Sequence, residues 1–543
     1  ITGDKFDHIN HNKYFTSSIE VKIIDDNIGG IQNFKLFLIP ARNGVDEVFV
    51  SLFFEKIGII SPYSKIINVN FNGQKIKMLI QEIITSKEIQ NRYKLRESIF
   101  LKADDIEYWK NISRNNKFIN CCNPKEVHNL KNNNFINRIV LKAKNKYFSY
   151  TGKMSDEQKK GSKLYPFNHP YDHTYKFFLD AFDGKHGESI TNRVFYFDPI
   201  YNYLYPIYYD SDPKLDLNKL DKINYSIKNI DNNIIKILVD KNFISLFLSE
   251  FKLRTPNESY DFNFYKNFLT KLVDNFIFNV NENIEYDQFV ITKENLNYKE
   301  VSIKNKNHYK LSVNSDEIFL IYLDKFKDKF EKIIFNIFFN NTDTSFGKVI
   351  FVGNFDNELI IHSYSNENNE NINFNLENEN LITGCVTIID SKIKKLIFNS
   401  KNLKCEDSIN VIRSQIDKVE LKIINSYRDG ADFDGSVVNI HTADIKNSGN
   451  DCIDFSNGTY KIINGLFTKC SDKGISIGEE SVVTISKANV SNSSVGIAFK
   501  DGSVVKIKNK SYIKNTLDCY SVYVKKNYFD YPILHNKENL ICS

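Results

Sequence analysis

Residues 451–478 read DCIDFSNGTYKIINGLFTKCSDKGISIG. The first six residues, DCIDFS, and the last six, KGISIG, follow a similar pattern and lie 22 positions apart. Related segments recur on both sides of it. They are DSINVI (407–412), DGADFD (429–434), DCIDFS (451–456), KGISIG (473–478), VGIAFK (495–500) and DCYSVY (518–523). Their second positions are all serine, glycine or cysteine and lie 22, 22, 22, 22 and 23 residues apart. Their third and fifth positions are apolar, so every copy of the repeat presents the same apolar face.

A fixed period of about 22 residues predicts a right-handed parallel β-helix. One rung of such a coil cannot bury its own apolar side chains, so rungs stack about 4.8 Å apart and align equivalent residues in columns. We assign residues 346–543 to this all-β domain. Apolar strands between 345 and 400 are interpreted as earlier, less regular rungs, and YFDYPIL (528–534) as part of a C-terminal cap.

Aspartates recur at two positions of the repeat, so stacking of the rungs should bring Asp429, Asp432, Asp451 and Asp454 together. Grouped carboxylates raise one another's pKa, which suits an acid/base pair for sugar chemistry, and they also suit Ca²⁺. Aspartate ladders at the corners of a β-helix arise for purely structural reasons as well. Both interpretations stay open at this point.

Length and composition exclude several classes of protein. A chain of 543 residues is too long for one core and indicates several domains. Its 72 basic and 67 acidic residues give a net charge of +5 without a long basic block, so no nucleic-acid partner is expected. No apolar run reaches the roughly 20 residues of a membrane-spanning helix. The eight cysteines show no zinc spacing, and their even number permits disulfides without requiring them.

Upstream of the repeat, residues 1–105 alternate short strands with one helix. The strands are FTSSIEVKII (15–24), NFKLFLI (33–39), KIINVNF (65–71) and KIKMLIQEI (75–83), and the helix lies within 42–59. The last two strands are joined by Asn72-Gly73, which is a strong hairpin signal. Residues 106–345 are predicted to be helical mainly in their second half. Apolar residues at helical spacing predict helices over 173–182, 232–252, 260–284 and 317–338.

The segment HGESITNRVFYFDPIYNYLYPIYYDSD (186–212) indicates a second hairpin, with Asn192 just before its first strand and Asp210 at the end of its second. Such a hairpin places an amide oxygen and a carboxylate side by side. That pair is the arrangement with which a phosphoryl-transfer site holds Mg²⁺. A simpler interpretation is that these acids only end the strands.

Four segments carry a resemblance to the CotH kinase family, an atypical protein-kinase-like fold. They are TGDKFDH (2–8), FKLFLIPARNGVDEVFVSLFFEKIGIISPYSKIINVNFNGQKIKMLIQEI (34–83), RESIFLKAD (96–104) and ITNRVFYFDPIYNYLYPIYYDSD (190–212). They occur in the family's order over roughly residues 1–215. The resemblance implies an α+β kinase-like domain, with a small lobe at 1–105 and a large lobe at 106–345.

The resemblance also implies ATP and Mg²⁺ as cofactors and assigns residues to them. Lys35 would contact the nucleotide phosphates, and Glu82 would lie near the base. The ion-pair partner of Lys35 would be Glu47, with Glu55 as a second candidate. Gly3 would belong to the turn that covers the nucleotide. The metal ligands would be Asn192, Asp210 and Asp212.

The sequence departs from a protein kinase at the catalytic base, which is an aspartate about five residues before the metal-binding asparagine. Gly187 occupies that position. The neighbouring His186 and Glu188 are candidates for the base, because both can accept a proton near neutral pH. Asp183 is a third candidate. Because no clear base is present, a pseudokinase that binds ATP without efficient transfer is an open alternative.

Three functions follow from these features. The first is a kinase or pseudokinase whose β-helix binds a glycan or a protein. The second is a structural or adhesive surface protein that self-associates. The third is a β-helical carbohydrate-active enzyme, since GNDCID (449–454) and KGISIGE (473–479) resemble stretches of β-helical pectin-degrading hydrolases. The chain begins at Ile1 rather than Met, so we expect an upstream segment and suspect a cell-envelope or secreted location.

Overall fold

The computed structural model describes the following parts of the chain: residues 9–10, 16–71, 73–85, 87–95, 98–103, 119–121, 140–141, 143–144, 147, 170–188, 192–198, 201, 203–221, 232–256, 260–282, 298–300, 306–315, 317–327, 329–340, 347–365 and 383–543. Two units account for them. Unit 1 comprises Ile1–Ile24 and Ile31–Thr292, and unit 2 comprises Asp25–Gly30 and Lys293–Ser543.

Unit 1 contains the predicted alternation of strands and one helix. Its first elements are β1 (Ile9–Asn10), β2 (Thr16–Ser17), β3 (Ile19–Lys22), β4 (Asn33–Leu38), helix α1 (Gly44–Lys56), β5 (Ser64–Phe71) and β6 (Gln74–Glu82). The last four of these strands form an antiparallel sheet in the order β3-β4-β6-β5. Phe71 pairs with Gln74, so a two-residue turn joins β5 to β6, as the Asn-Gly pair predicts.

Helix α1 is almost entirely enclosed. Its N-terminal cap, Asn43, has a left-handed backbone with φ of 52°, and two acids lie in its first turn, where they suit the helix dipole. Phe49 and Phe53 are completely buried, and each packs against several aromatic rings of later helices. This aromatic cluster is the core of unit 1 and fixes the position of both ends of α1.

A second sheet and the remaining helices complete unit 1. The sheet has the order β10-β9-β7-β8 and is formed by β7 (Phe100–Ala103), β8 (Ile119–Cys121), β9 (Val194–Asp198) and β10 (Tyr203–Ile207). The helices are α2 (Lys87–Arg92), α3 (Pro170–Ala181), α4 (Leu217–Leu220), α5 (Asn232–Leu238), α6 (Phe243–Arg254) and α7 (Phe262–Glu282). The single helix predicted over 232–252 is therefore two helices. None of the helices described has the length and apolar character needed to span a bilayer.

Unit 2 is a parallel β-solenoid. Its strands are β11 (Tyr298–Glu300), β12 (His308–Asn314), β13 (Ile318–Tyr322), β14 (Lys332–Asn340), β15 (Lys348–Ser365), β16 (Gly384–Lys401), β17 (Asp407–Ile412), β18 (Gln415–Ser426), β19 (Asp429–Asp434), β20 (Val437–Ser448), β21 (Ile453–Ser456), β22 (Thr459–Cys470), β23 (Lys473–Gly478), β24 (Val482–Ile485), β25 (Ala488–Ser491), β26 (Val495–Lys500), β27 (Val504–Ile507), β28 (Ser511–Lys514), β29 (Asp518–Tyr523), β30 (Ile533–His535) and β31 (Leu540–Cys542). Neighbouring turns of the coil pair in parallel.

The register of the solenoid confirms the predicted columns. Ala431 pairs with Ile453, and Ile453 pairs with Ile475, as the 22-residue period requires. The apolar columns point inward into one continuous core, in which the rings of Phe433 and Phe455 stack with centroids 5.5 Å apart.

The helix predicted over 317–338 is wrong. This stretch contains β13, a 3₁₀ turn at Leu323–Phe326 and β14, and both strands pair in parallel with β15. In β14 the side chains alternate between buried and less buried positions along the strand. A run so rich in Ile and Phe satisfies a helical period and a two-residue period equally well, and the stacking of rungs selects the strand.

Six of the eight cysteines form disulfides within unit 2. The pairs are Cys385–Cys405, Cys452–Cys470 and Cys519–Cys542, with sequence separations of 20, 18 and 23 residues. Each separation is close to one rung, so each bond closes a single turn of the coil. The first cysteine of every pair lies in the column of small residues that defines the repeat.

An asparagine ladder lines one corner of the solenoid. Asn402, Asn425, Asn447, Asn492 and Asn515 all have left-handed backbones, with φ between 51° and 60°. The side-chain amide of Asn447 donates to Asn425 over 2.9 Å, and that of Asn425 donates to Asn402 over 2.8 Å. Asparagine tolerates this backbone better than most residues, and its amide satisfies the neighbouring rung.

Lys469 interrupts this ladder at the same corner, with a φ of 58°. We expect Lys469→Asn to stabilise unit 2 by about 1 kcal/mol, because it relieves the left-handed strain and supplies the missing amide link. The measurement is denaturant unfolding, monitored by hydrogen exchange of the amides in the strands of unit 2. Lys446→Asn, in the adjacent strand β20, is the matched control and should give no gain. Equal effects of the two changes would contradict the ladder argument.

Candidate functional site

Two turns of unit 1 pack against one another and bring three aspartates into one region. Asp183, Asp210 and Asp212, which we call the acidic turn cluster, all have left-handed backbones, with φ of 54°, 48° and 50°. The buried Ser211 lies between the last two. A Cβ on Gly184 would lie 3.1 Å from the Cβ of Ser211, so a side chain there would crowd the approach of the two turns.

Main-chain bonding holds the same two segments together. The amide of Lys214 donates to the carbonyl of Phe182 over 2.9 Å. Left-handed aspartates cost about 1 kcal/mol or more each, and such strain persists only where the surrounding structure enforces it. The turns are therefore fixed in place rather than incidental ends of strands.

Each member of the acidic turn cluster has a partner. Arg42 forms an ion pair with Asp210, and Lys219 forms one with Asp183. The side-chain amide of Asn43 donates to Asp212 over 2.7 Å, which ties the cluster to the N-terminus of α1.

Glu47 lies in the first turn of α1 and is completely buried. Its carboxylate accepts hydrogen bonds from the hydroxyl of Tyr208 at 2.7 Å and from the side chain of Gln81 at 2.8 Å. Burial raises the pKa of Glu47 to about 7, although the charge of Arg42 and the two hydrogen bonds act in the opposite direction. Glu47 is thus a buried titratable carboxylate that interacts electrostatically with both members of the Arg42–Asp210 ion pair.

Lys35 lies on β4 directly opposite Gln81 of β6, so the two side chains share the face that α1 covers. Within the described parts of the chain, Lys35 makes no ion pair, and the predicted Lys35–Glu47 bridge is not formed. Arg42 is instead the cation that interacts with Glu47.

Two other predicted nucleotide contacts have different outcomes. Glu82 is buried and forms an ion pair with Arg92, while its carboxylate also accepts from the amide of Tyr63. It belongs to an ion-pair network with Glu55 and Arg254 and not to an open pocket. Gly3 lies outside the described residues.

The candidates for the catalytic base lie in different environments. His186 is exposed, and its carbonyl accepts from the side chain of Asn192 at 3.1 Å. Glu188 is buried and bonded to the ammonium of Lys176 at 2.8 Å. Gly187, which lies between His186 and Glu188, approaches Ser211 as closely as Gly184 does, so the segments of all three candidates pack against the turn that contains Asp210.

The donors of the acidic turn cluster are chemically suited to Mg²⁺, which prefers carboxylate and carbonyl oxygens. In the part of the chain that the structure describes, no group of three or more His, Cys, Asp or Glu side chains is arranged to hold a metal ion. Asp210 is engaged by Arg42, so a metal at Asp210 requires that ion pair to open.

The predicted acidic column of the solenoid has a structural role. Asp429 accepts from the amide of Asp451 at 2.8 Å and from the side chain of Asn450 at 2.7 Å. Asp451 in turn accepts from the amide and the ammonium of Lys473, at 3.0 and 3.3 Å. Each carboxylate therefore links one rung to the next, which favours the ladder interpretation for this pair.

Asp432 and Asp454 lie on the outer face of the same rungs, in register with one another. Asp432 accepts from the side chain of Asn410 at 2.9 Å. Asp454 forms an ion pair with Lys500 at 3.8 Å and accepts from the amide of Phe455 at 2.9 Å. The four predicted aspartates thus occupy one region but face two different environments.

The ladder carboxylates should make the stability of unit 2 depend on pH. Burial, with the neighbouring carboxylates, raises the pKa of Asp429 to about 7 and that of Asp451 to about 6. The folded state then binds protons that the unfolded state has lost, so stability should rise by about 2 kcal/mol as the pH falls from 8 to 5.

Asp429→Asn keeps the acceptor and removes the charge, so it should flatten this dependence. Asp518→Asn, at an exposed position of the same column, is the matched control. Unfolding monitored by hydrogen exchange at several pH values measures both. An Asp429→Asn variant with the wild-type pH profile would contradict the assignment.

Sequence reasoning missed two residues of the unit 1 site. Arg42 opens the segment 42–59 in which the helix was predicted, and only the fold shows that it lies over the rings of Phe37 and Tyr209. Arg193, within the hairpin motif, is buried between Tyr175 and Phe195. The Asn-Arg pair before an aromatic strand was the available signal for the second.

No protein-family model matches the chain, and no curated protein matches it. The parallel solenoid is established by its own register. Unit 1 contains mixed sheets and helices, and its kinase-like character remains a prediction from the sequence motifs.

Proposed function

We propose that unit 1 binds a magnesium nucleotide between β4 and the acidic turn cluster, as a kinase-like phosphotransferase or as a pseudokinase. The observation that carries this proposal is the packing of the Asp183 turn against the Asp210–Asp212 turn. It brings a candidate base close to two candidate metal ligands, Asp210 and Asp212, that lie 27 and 29 residues further along the sequence.

Each residue has a distinct role in this proposal. Lys35 offsets charge on the nucleotide phosphates, and Asn192, Asp210 and Asp212 provide oxygen ligands for Mg²⁺. When bound, the metal neutralises charge on the phosphates. Asp183 accepts the proton of the acceptor hydroxyl.

Arg42 gives the proposed site a closed state, because its ion pair with Asp210 excludes a metal from that carboxylate. Binding of the nucleotide then requires Arg42 to move, and its guanidinium becomes free to contact a phosphate. Glu47, which interacts with Arg42 from behind, remains as the anion that holds it near the site.

Calorimetry of the whole chain with ATP and Mg²⁺ tests the proposal. We expect binding that Asp210→Ala and Lys35→Ala each reduce at least tenfold, since each removes a charge that faces the metal or the phosphates. Lys22→Ala, at an exposed position of the adjacent strand β3, is the matched control and should bind as the wild type does. A wild-type protein that binds no nucleotide with Mg²⁺ would refute the proposal.

A structural or adhesive role at the cell surface is the second candidate. Three disulfides and an asparagine ladder support it, because they stiffen a solenoid without contributing any chemistry. Disulfides of this kind form and persist in oxidising compartments, which favours the cell envelope or a secreted location. Ordered self-assembly of the chain without nucleotide turnover would distinguish this role from the first.

A further inference from the structure

The outer face of the solenoid carries a group of polar side chains whose hydrogen-bonding capacity is only partly used. Ser476 lies between the core residues Ile475 and Ile477, so its hydroxyl points outward, and it is in register with Asp454 of the preceding rung. Its side chain is 0% exposed, and its oxygen makes no hydrogen bond with any described residue. A buried hydroxyl without a partner requires an explanation.

The side chain of Lys500 extends toward Ser476 and Asp454 from the rung that follows Ser476. Its residue lies one rung beyond Ser476, yet its ammonium is 3.8 Å from the carboxylate of Asp454, one rung before Ser476. The aliphatic stem crosses Gly478, where a Cβ would lie 2.8 Å from Cε and 2.9 Å from Cγ of the lysine. The missing side chain at Gly478 is therefore what lets Lys500 span two rungs.

The ammonium of Lys500 is largely buried, but its hydrogen-bonding capacity is not used by the described residues. Its side chain is only 12% exposed, and it makes no hydrogen bond within the described residues, since 3.8 Å to Asp454 is too long for one. Burial lowers the pKa of Lys500, but the carboxylates of Asp454 and Asp451 more than offset this, so the group stays charged. Asp454 remains 23% exposed and open to further donors.

These three groups define the ligand by its chemistry. A metal ion is disfavoured by the ammonium, and the described residues offer no cluster of three acids to hold one. An anion is disfavoured by Asp454 and by the adjacent Asp451. A hydroxyl group both accepts and donates, so adjacent hydroxyls can accept from Lys500 and Ser476 and donate to Asp454.

We propose that Asp454, Ser476 and Lys500 form a binding site for a neutral carbohydrate, which they engage through a pair of adjacent hydroxyl groups. The site lies on regular, stacked strands. Asp451 and Lys473 lie in the neighbouring column and are bonded to one another. The proposal is independent of nucleotide binding in unit 1.

The test uses the whole chain without nucleotide or Mg²⁺, so its failure leaves the proposal for unit 1 untouched. The probes are an array of neutral linear hexasaccharides (glucan, mannan, xylan and galactan), with calorimetry on those retained. We expect at least one to bind and Lys500→Met, which keeps the stem, to weaken binding at least tenfold. Asp454→Asn and Ser476→Ala should weaken the same interaction.

Lys506→Met is the matched control, because Lys506 is an exposed lysine on β27 of the same solenoid. It should bind like the wild type. Gly478→Ala offers a second route, since a methyl group there displaces the stem of Lys500 without removing a polar group. The proposal is overturned if no neutral hexasaccharide binds, or if Lys500→Met and Lys506→Met bind equally.

Discussion

Removing the Cys452–Cys470 disulfide is expected to lower the unfolding free energy of unit 2 by about 3 kcal/mol. The bond closes a loop in the middle of the repeat, with a separation of 18 residues, and chain-entropy estimates for such loops are of that size. The double change Cys452→Ala with Cys470→Ala avoids a free thiol. Hydrogen exchange of β19, β21 and β23 measures the loss locally, which separates it from any unfolding of unit 1.

Another rung of the same coil supplies the control for this prediction. At the equivalent inward positions, Ser408 and Ser426 form a hydrogen bond of 2.8 Å instead of a disulfide. Replacing both serines by alanine should cost about 1 kcal/mol, the usual net value of one hydrogen bond. If replacing the cysteine pair lowers the unfolding free energy no more than replacing the serine pair, the covalent bond itself does not stabilise the solenoid.

The solenoid could be predicted because its rung repeats a short pattern at a fixed distance. Ile453 and Phe455 occupy the same positions as Ile475 and Ile477 one period later, and the structure pairs them in register. The disulfides were not predicted, although Cys452 and Cys519 lie in the small column. Recognising their partners requires knowing which residue faces that column across the rung.

The first rungs were harder to predict for a different reason. The stretch 317–338 lacks the small column and has no clear period, so its Ile and Phe residues fit a helix as well as a strand. Only pairing with β15 decides between the two. Local pattern fails where long-range stacking provides most of the stabilisation.

The site of unit 1 shows what motif and spacing leave undetermined. The structure places Asp210 three residues past the end of β10 and Asp183 two residues past the end of α3, close to the strand end and helix end that the sequence predicts. Nothing in the spacing indicates that Arg42 pairs with Asp210, or that Glu47 bonds to Tyr208 rather than to Lys35. Such contacts depend on how a helix docks on a sheet, which the sequence of either element alone does not specify.

Glu47→Ala is expected to destabilise unit 1 by about 4 kcal/mol, because it leaves the buried partners of Glu47 without their acceptor and Arg42 without its second anion. Glu47→Gln keeps an acceptor for Gln81 and can donate to Tyr208, so it should cost much less.

Burial raises the pKa of Glu47 to about 7, so the wild type should gain stability as the pH falls through 7, and the Gln variant should not. Hydrogen exchange of α1 between pH 5 and 8 measures these effects. A Glu47→Ala variant whose α1 exchanges at the wild-type rate would show that the carboxylate does not hold α1 against β6 and the acidic turn cluster.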